Sequence, residues 1–375
     1  MVLSRKERFL LHYNQKNLLR LAKRYHNTKR SYLLVNPLQA KHLAVSPEQA
    51  LAMMEELGKM VYQKYPAAKL IIGFAETATA IATKAALQFP EDVFFLHTTR
   101  EQLGGECLNF KEEHSHAVEQ RLYLSGSLPE TNEIILIDDE VSTGKTIRNM
   151  VLQIRQAFPV YEKARFIAVS VINRVSPENL KLLEQENIFC ESLCKLENLD
   201  YTSQVEKFQV SQPEEMPFSE KMPYRTVISR NALPESRMLH TVKKYQEKYT
   251  EFTDAVIHEI LPVLAGKKNI LVLGTEECMY PALVLGKVLE EQDFSVLCHA
   301  TTRSPIGICQ DADYPVQEGY ALPSFYDSAR KTYIYNIKHT AEAVLIVTDS
   351  KADTGQAMEK ISVLFPEADK ILIKG

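Results

Sequence analysis

The chain has 375 residues, of which 45% are hydrophobic and 25% charged, with a formal charge of −4. That length accommodates two globular domains with their own cores, the charge gives no general case for nucleic-acid binding, and no apolar run is long enough to span a membrane. The N-terminus lacks a signal-peptide core, and the six cysteines show neither Cys-x-x-Cys spacing nor disulfide density, so a cytoplasmic protein with reduced thiols is expected.

Residues 1–30 set Arg5, Lys6, Arg8, Lys16, Arg20, Lys23, Arg24, Lys29 and Arg30 against one acid, Glu7. With Leu10, Leu11, Leu18, Leu19 and Leu21 they predict a basic amphipathic helical arm. Packing on the body or on a second subunit is favoured over RNA contact, because no aromatic base-stacking pattern accompanies the charge. Val35 to His42 precedes the first helix of the body. An apolar strand from Lys69 to Phe74 carries Gly73 near its end and leads through Glu76, Thr77, Ala78 and Thr79 into a helix reaching Gln88. Val93 to Leu96 is a second strand, closing in His97-Thr98-Thr99-Arg100. A long polar segment runs to about Glu119, and Arg121 to Leu124 reads as a short strand.

Ile134 to Ile137 is an apolar strand that delivers Asp138 and Asp139 into Glu140-Val141-Ser142-Thr143-Gly144-Lys145-Thr146, where a helix opens. Successive N–H groups, hydroxyls and a helix N-terminus stabilise a phosphate monoester there, and Gly144 permits the tight backbone. Ionised carboxylates only accept hydrogen bonds, so Asp138 and Asp139 suit the two hydroxyls of a ribose. A Walker loop is excluded, since the position that requires its first glycine is Asp139. The bland alternative, a capped strand-to-helix turn, does not call for two adjacent acids at a strand end.

Arg165 to Ile172 completes the first set, and the same order then repeats. Ile270 to Leu273 ends in Gly274-Thr275-Glu276-Glu277 and a helix reaching Glu290. Ser295 to His299 closes in Ala300-Thr301-Thr302-Arg303, and Thr332 to Ile337 is a strand. Ala343 to Val347 leads to Thr348-Asp349 and, after an extra residue, to Thr354-Gly355; Lys370 to Ile373 follows. Thr-Thr-Arg at matching strand ends, and an acid followed by Thr-Gly, indicate an internal duplication. The fold class is therefore α/β with two tandem parallel-sheet domains, ligands lying at the carboxyl ends of the strands. The organisation expected is an arm over 1–30, a first domain over 31–209, a proline-marked linker over 210–224 and a degenerate copy over 225–375.

Residues 138–146 resemble the signature for phosphoribosyl pyrophosphate (PRPP) of type I phosphoribosyltransferases. Almost the whole chain beyond residue 30 resembles such a domain followed by a TRSP domain, named for Thr302-Arg303-Ser304-Pro305, of the kind associated with tellurite-resistance-type operons. The resemblance implies a phosphoribosyltransferase using PRPP and Mg²⁺ in a nucleotide-related, stress-linked pathway, with Asp138 and Asp139 near the metal only indirectly. It implies that Ser142, Thr143, Gly144, Lys145 and Thr146 hold the 5-phosphate and that Gly73, Phe74, Ala75, Glu76 and Thr77 form the pyrophosphate loop. A Glu76 pointing inward would need Mg²⁺ or a lysine beside it; otherwise it is an exposed helix-start acid. Arg100 is the expected pyrophosphate contact. Lys111, His114 and His116 fall in the mobile loop, where His-x-His lacks the companions of a zinc site. Lys41 and His42 fall in the hood, as acceptor contacts, as acid or base, or simply exposed. Thr301, Thr302, Arg303 and Ser304 form a second ligand site or a strand end kept for packing. The partners expected are PRPP and a small base-like acceptor, with no membrane and nucleic acid disfavoured; a homodimer stays open. A PRPP-binding regulator or scaffold without turnover is the alternative. A PRPP synthetase lacks support, for want of an ATP-binding motif.

Overall fold

A computed structural model of the chain describes residues 13–25, 31–111, 119–124, 128–217, 222–337 and 339–375. In the first half, α1 (Gln15–Leu18) precedes an antiparallel pair, β1 (Arg20–Lys23) and β2 (Tyr32–Val35). Then come α2 (Pro47–Lys64), β3 (Leu70–Gly73), α3 (Thr79–Ala86), β4 (Phe94–His97), β5 (Leu108–Lys111) and β6 (Glu119–Leu122). β7 (Glu133–Val141), α4 (Lys145–Ala157), β8 (Arg165–Asn173), α5 (Pro177–Gln185), β9 (Ile188–Lys195) and α6 (Thr202–Glu206) complete it.

The second half opens with β10 (Glu214–Glu215), β11 (Arg225–Ile228), β12 (His240–Thr241) and α7 (Val242–Ile260). It continues with β13 (Asn269–Gly274), α8 (Tyr280–Glu290), β14 (Ser295–Ala300), β15 (Gly319–Pro323) and β16 (Lys331–Tyr335), and ends with β17 (Ala343–Thr348), α9 (Gly355–Leu364) and β18 (Asp369–Lys374).

Each half has its own sheet, as the duplication predicts. The first runs β12-β4-β3-β7-β8-β9, parallel except for β12, and the second runs β11-β18-β17-β13-β14, parallel throughout. Central strands such as Leu70–Ile72 and Ile134–Ile137 are wholly buried, as parallel strands covered by helices on both faces must be. Ile147, Met150, Val151 and Ile154 give α4 the apolar stripe that seats it on the sheet and aims its N-terminus at the end of β7.

The halves also trade edge segments. β12, which leads into α7 of the second half, adds antiparallel to β4 of the first. Val45, which leads into α2 of the first half, bridges Cys298 on β14 of the second, with N–H to O distances of 3.0 and 2.8 Å. An edge strand left open offers unpaired N–H and C=O groups, and here each half covers the other's.

Three expectations need correcting. The basic arm is not a helix across its described residues: α1 is one turn, and Arg20–Lys23 is strand because pairing with β2 satisfies its backbone. The proline-marked linker is partly docked, with Ser211 bridging Ile308 and β10 pairing β15. The short strand expected at Arg121–Leu124 lies at Glu119–Leu122, paired antiparallel with β5. Among the described residues no helix is long and apolar enough to cross a membrane.

Candidate functional site

β3 stops at Gly73, opposite Ile137 of β7, whereas β8 accompanies β7 as far as Asn173, opposite Val141. Asp138, Asp139 and Glu140 therefore project beyond the middle of the sheet, into the crevice where open α/β sheets bind ligands. All three are half-buried, and the Asp138 carboxylate accepts the Asp139 N–H at 2.8 Å. The chain turns through Ser142, Thr143 and Gly144 into α4. Gly144 lies at φ +78°, a backbone that requires glycine, and a Cβ there would press to 2.7 Å on Leu183 Cδ1. Thr143 Oγ1 accepts the Lys145 N–H at 3.3 Å; Lys145 is exposed and Thr146 half-buried. The first-turn N–H groups of α4, its dipole and two hydroxyl-bearing residues make this turn favourable for a phosphate.

A neighbouring cation escaped the sequence reading. Arg174, 2% exposed, follows β8 and donates from Nε to Glu140 at 3.0 Å, from Nη1 to the Leu199 carbonyl at 3.1 Å and from Nη2 to Tyr32 Oη at 3.2 Å. The Tyr32 and Tyr201 rings each lie 5.5 Å from its guanidinium carbon. It thus ties the β1–β2 hairpin to the acidic strand end, using the planar fork that lysine lacks. The third acid of Asp138-Asp139-Glu140 was the available signal for a partner.

The turn after β3 is closed rather than open. The Phe74 N–H is bound to the Ile137 carbonyl at 2.9 Å and the Ala75 N–H to Thr98 Oγ1 at 2.8 Å; the Ala75–Glu76 peptide is cis, and the Thr77 carbonyl accepts from Gln39 at 2.9 Å. Gly73, Phe74 and Ala75 are buried, so the amides of Phe74 and Ala75 are not offered to an anion. Glu76 points inward and is 3% exposed. Burial pushes its carboxyl up, but the charges of Lys41, Arg303 and Arg100 outweigh burial and hold it well below the ordinary value. The lysine that an inward Glu76 requires is Lys41.

Lys41 itself is 0% exposed, ion-paired to Glu76 and bonded to the carbonyls of Glu276 at 3.0 Å and Thr301 at 3.3 Å. It is sealed between the halves and does not face an acceptor, which corrects the hood expectation. His42 is buried beside it; burial, then the Lys41 charge, lowers its pKa to about 3, so the imidazole is neutral at ordinary pH. Thr301 and Thr302 are buried and Ser304 half-buried, while the Arg303 guanidinium is taken up by Glu276 at 2.5 Å, by Glu76 at 3.4 Å and by Glu101. Of the alternatives for these residues, the structural one fits. Arg100 is half-buried at the end of β4, and its N–H binds Glu277 at 2.8 Å. Lys111 contributes its backbone to β5; His114 and His116 lie outside the described residues.

These contacts come in matched pairs. Lys41 neutralises Glu76 and, at the equivalent place, Arg237 neutralises Glu277 at 3.0 Å. Glu76 accepts the Arg303 N–H at 3.3 Å, and Glu277 accepts the Arg100 N–H at 2.8 Å. Thr98 Oγ1 caps Ala75, and Thr301 Oγ1 caps Glu276 at 3.1 Å. The halves meet as two copies around a pseudo-two-fold axis, each presenting the same patch.

The sequence comparisons agree with this division. Residues 18–196 match the model of a phosphoribosyl transferase family, and residues 239–364 match the TRSP domain found C-terminal to it. No curated protein matches the sequence. Similar solved structures include an orotate phosphoribosyltransferase from Aeropyrum pernix, 18% identical over 40% of this chain and 73% of that one, with a TM-score of 0.28. Another is the adenine phosphoribosyl transferase from Trypanosoma brucei in complex with AMP, pyrophosphate and ribose-5-phosphate, 12% identical over 48% and 76%, with a TM-score of 0.35. A third, adenine phosphoribosyltransferase from Thermoanaerobacter pseudethanolicus, is 14% identical over 48% and 97%, with a TM-score of 0.36.

Proposed function

We infer that this chain, which belongs to the phosphoribosyl transferase family over residues 18–196 and carries a TRSP domain over residues 239–364, transfers the phosphoribosyl group of PRPP to a base-like acceptor. The match to that family supports a pentosyltransferase. The observation that carries the donor assignment is the junction of Asp138 and Asp139 with the Ser142–Thr146 turn, where a half-buried acidic strand end runs straight into a helix N-terminus. The turn anchors the 5-phosphate. Asp138 and Asp139 accept from the ribose hydroxyls, so C1 is held between the two while pyrophosphate departs from an oxocarbenium-like centre. Arg100, at the end of β4, contacts the departing charge, and Arg174 keeps the β1–β2 hairpin fixed against the strand end that holds the sugar.

Hard carboxylate oxygens at Asp138 and Asp139 suit the neighbourhood of a Mg²⁺ ion, which would keep water and substrate phosphates as its shell and meet these acids indirectly. When bound, the ion would neutralise the leaving pyrophosphate. The pathway we propose is nucleotide-related and linked to stress response.

A second reading, a PRPP-binding regulator or scaffold without turnover, is favoured by one observation: Lys41, in the loop after β2, and Arg303, just past β14, are already engaged by carboxylates. Pyrophosphate release from PRPP and Mg²⁺, with and without a deproteinised metabolite extract, separates the two. Extract-dependent release absent from an Asp138→Asn/Asp139→Asn protein supports transfer. PRPP binding without release supports the regulator.

A further inference from the structure

We propose that residues 225–375 are a built-in partner subunit whose own ligand pocket is filled by Arg237, so that the chain holds one sugar-phosphate site and not two. The count of sites rests on the PRPP reading; the partner role does not.

At the end of β17, Asp349 stands where the first half has Asp139, and Thr348 where it has Asp138. Neither is open. Asp349 lies 2.5 Å from Arg237 Nη1 and also accepts from Tyr326 Oη, and Thr348 Oγ1 accepts from Thr275 Oγ1 at 2.9 Å. Arg237, 4% exposed, spans from Asp349 to Glu277, with the Tyr326 ring 5.8 Å from its guanidinium carbon. A protein cation therefore sits between the two acids that, in the first half, are Asp139 and Glu76. The cavity beside it, bordered by His97, Ser236, Arg237, Glu277 and Asp349 among others, measures about 20 Å³, room for roughly one water and not for a sugar.

What the second half retains is its contact surface. The matched pairs at Glu76 with Arg303 and Glu277 with Arg100, and the exchanged edge segments at Val45 and β12, are the contacts of an isologous dimer joined into one chain. The patch survived the duplication, while the pocket was converted into an internal ion pair.

Titration calorimetry of the full chain with PRPP and Mg²⁺ tests the site count. One equivalent is expected, lost in Asp138→Asn/Asp139→Asn and kept in Asp349→Asn with affinity changed by less than about threefold, a difference under 1 kcal/mol. Two equivalents, or binding abolished by Asp349→Asn in a folded protein, overturn it. Scanning calorimetry tests the partner role independently. A single transition, moved as a whole by either Glu76→Gln or Glu277→Gln, is expected; two separable transitions, each moved by only one variant, overturn it. If PRPP does not bind at all, the functional reading fails and the scanning result still decides the partner role.

Discussion

The Glu76 carboxylate of the first half accepts the backbone N–H of Arg303 in the second at 3.3 Å, while the Arg303 guanidinium returns to Glu76 at 3.4 Å and reaches Glu276 at 2.5 Å. Loop acid and strand-end cation thus clamp each other across the boundary, and both are largely out of water.

Arg303→Ala should therefore lower stability by about 3–5 kcal/mol, the usual cost of leaving a buried charge without its partner. Urea denaturation measures it. A loss below about 1 kcal/mol would class the pair with exposed salt bridges and remove the clamp.

Asp138→Asn with Asp139→Asn should abolish PRPP binding while shifting stability by no more than about 0.5 kcal/mol, because both side chains are half-exposed at the strand end. Unaltered affinity would remove the ribose assignment.

Gly144→Ala should cost about 1–2 kcal/mol from the left-handed backbone alone, and the approach to Leu183 Cδ1 at 2.7 Å adds to it. PRPP affinity should fall with it, since the turn that presents the α4 amides must shift. Normal affinity in a destabilised protein would separate the turn from the phosphate.

Acid should weaken the fold through its buried histidines. Burial, followed by the Lys41 charge, holds His42 down at about 3, and burial holds His299 down at about 4, against an ordinary 6.5. Both pKa values are depressed, so the unfolded chain takes up protons first. The stability these groups contribute is complete above pH 6.5 and is lost as pH falls toward 4 and then 3. The expected slope is about 1.4 kcal/mol per pH unit per histidine. Urea midpoints measured from pH 8 to pH 5 should decline below the ordinary histidine pKa of about 6.5; a flat profile would show that neither imidazole is held neutral.

The strand, acids and glycine turn of residues 133–146 were legible because each residue type there answers a local need: apolar to be buried, glycine to turn, hydroxyl to cap. The duplication was legible because Thr-Thr-Arg recurs at equal depth in both halves. Lys41 was not, since a lysine in a loop reads as solvated unless the carbonyls of Glu276 and Thr301 are known to lie above it. Arg303 failed for the same reason: its position gave a cation at a strand end, but its three carboxylate partners come from separate parts of the chain. Arg174 was missed because a lone arginine after a strand has no pattern until Tyr32, Glu140 and Leu199 converge on it.

The exchanged edges bear on how the chain is made. Lys41 waits for carbonyls 235 and 260 residues further along, and the outer edge of β4 waits for His240 and Thr241. A ribosome adding about 5–20 residues per second leaves the nascent N-terminal half with an uncovered sheet edge and Lys41 without those two carbonyls for many seconds. Maturation should therefore be late and post-translational, limited by these long-range closures rather than by formation of the first sheet. Truncated translation products should be the species that chaperones retain.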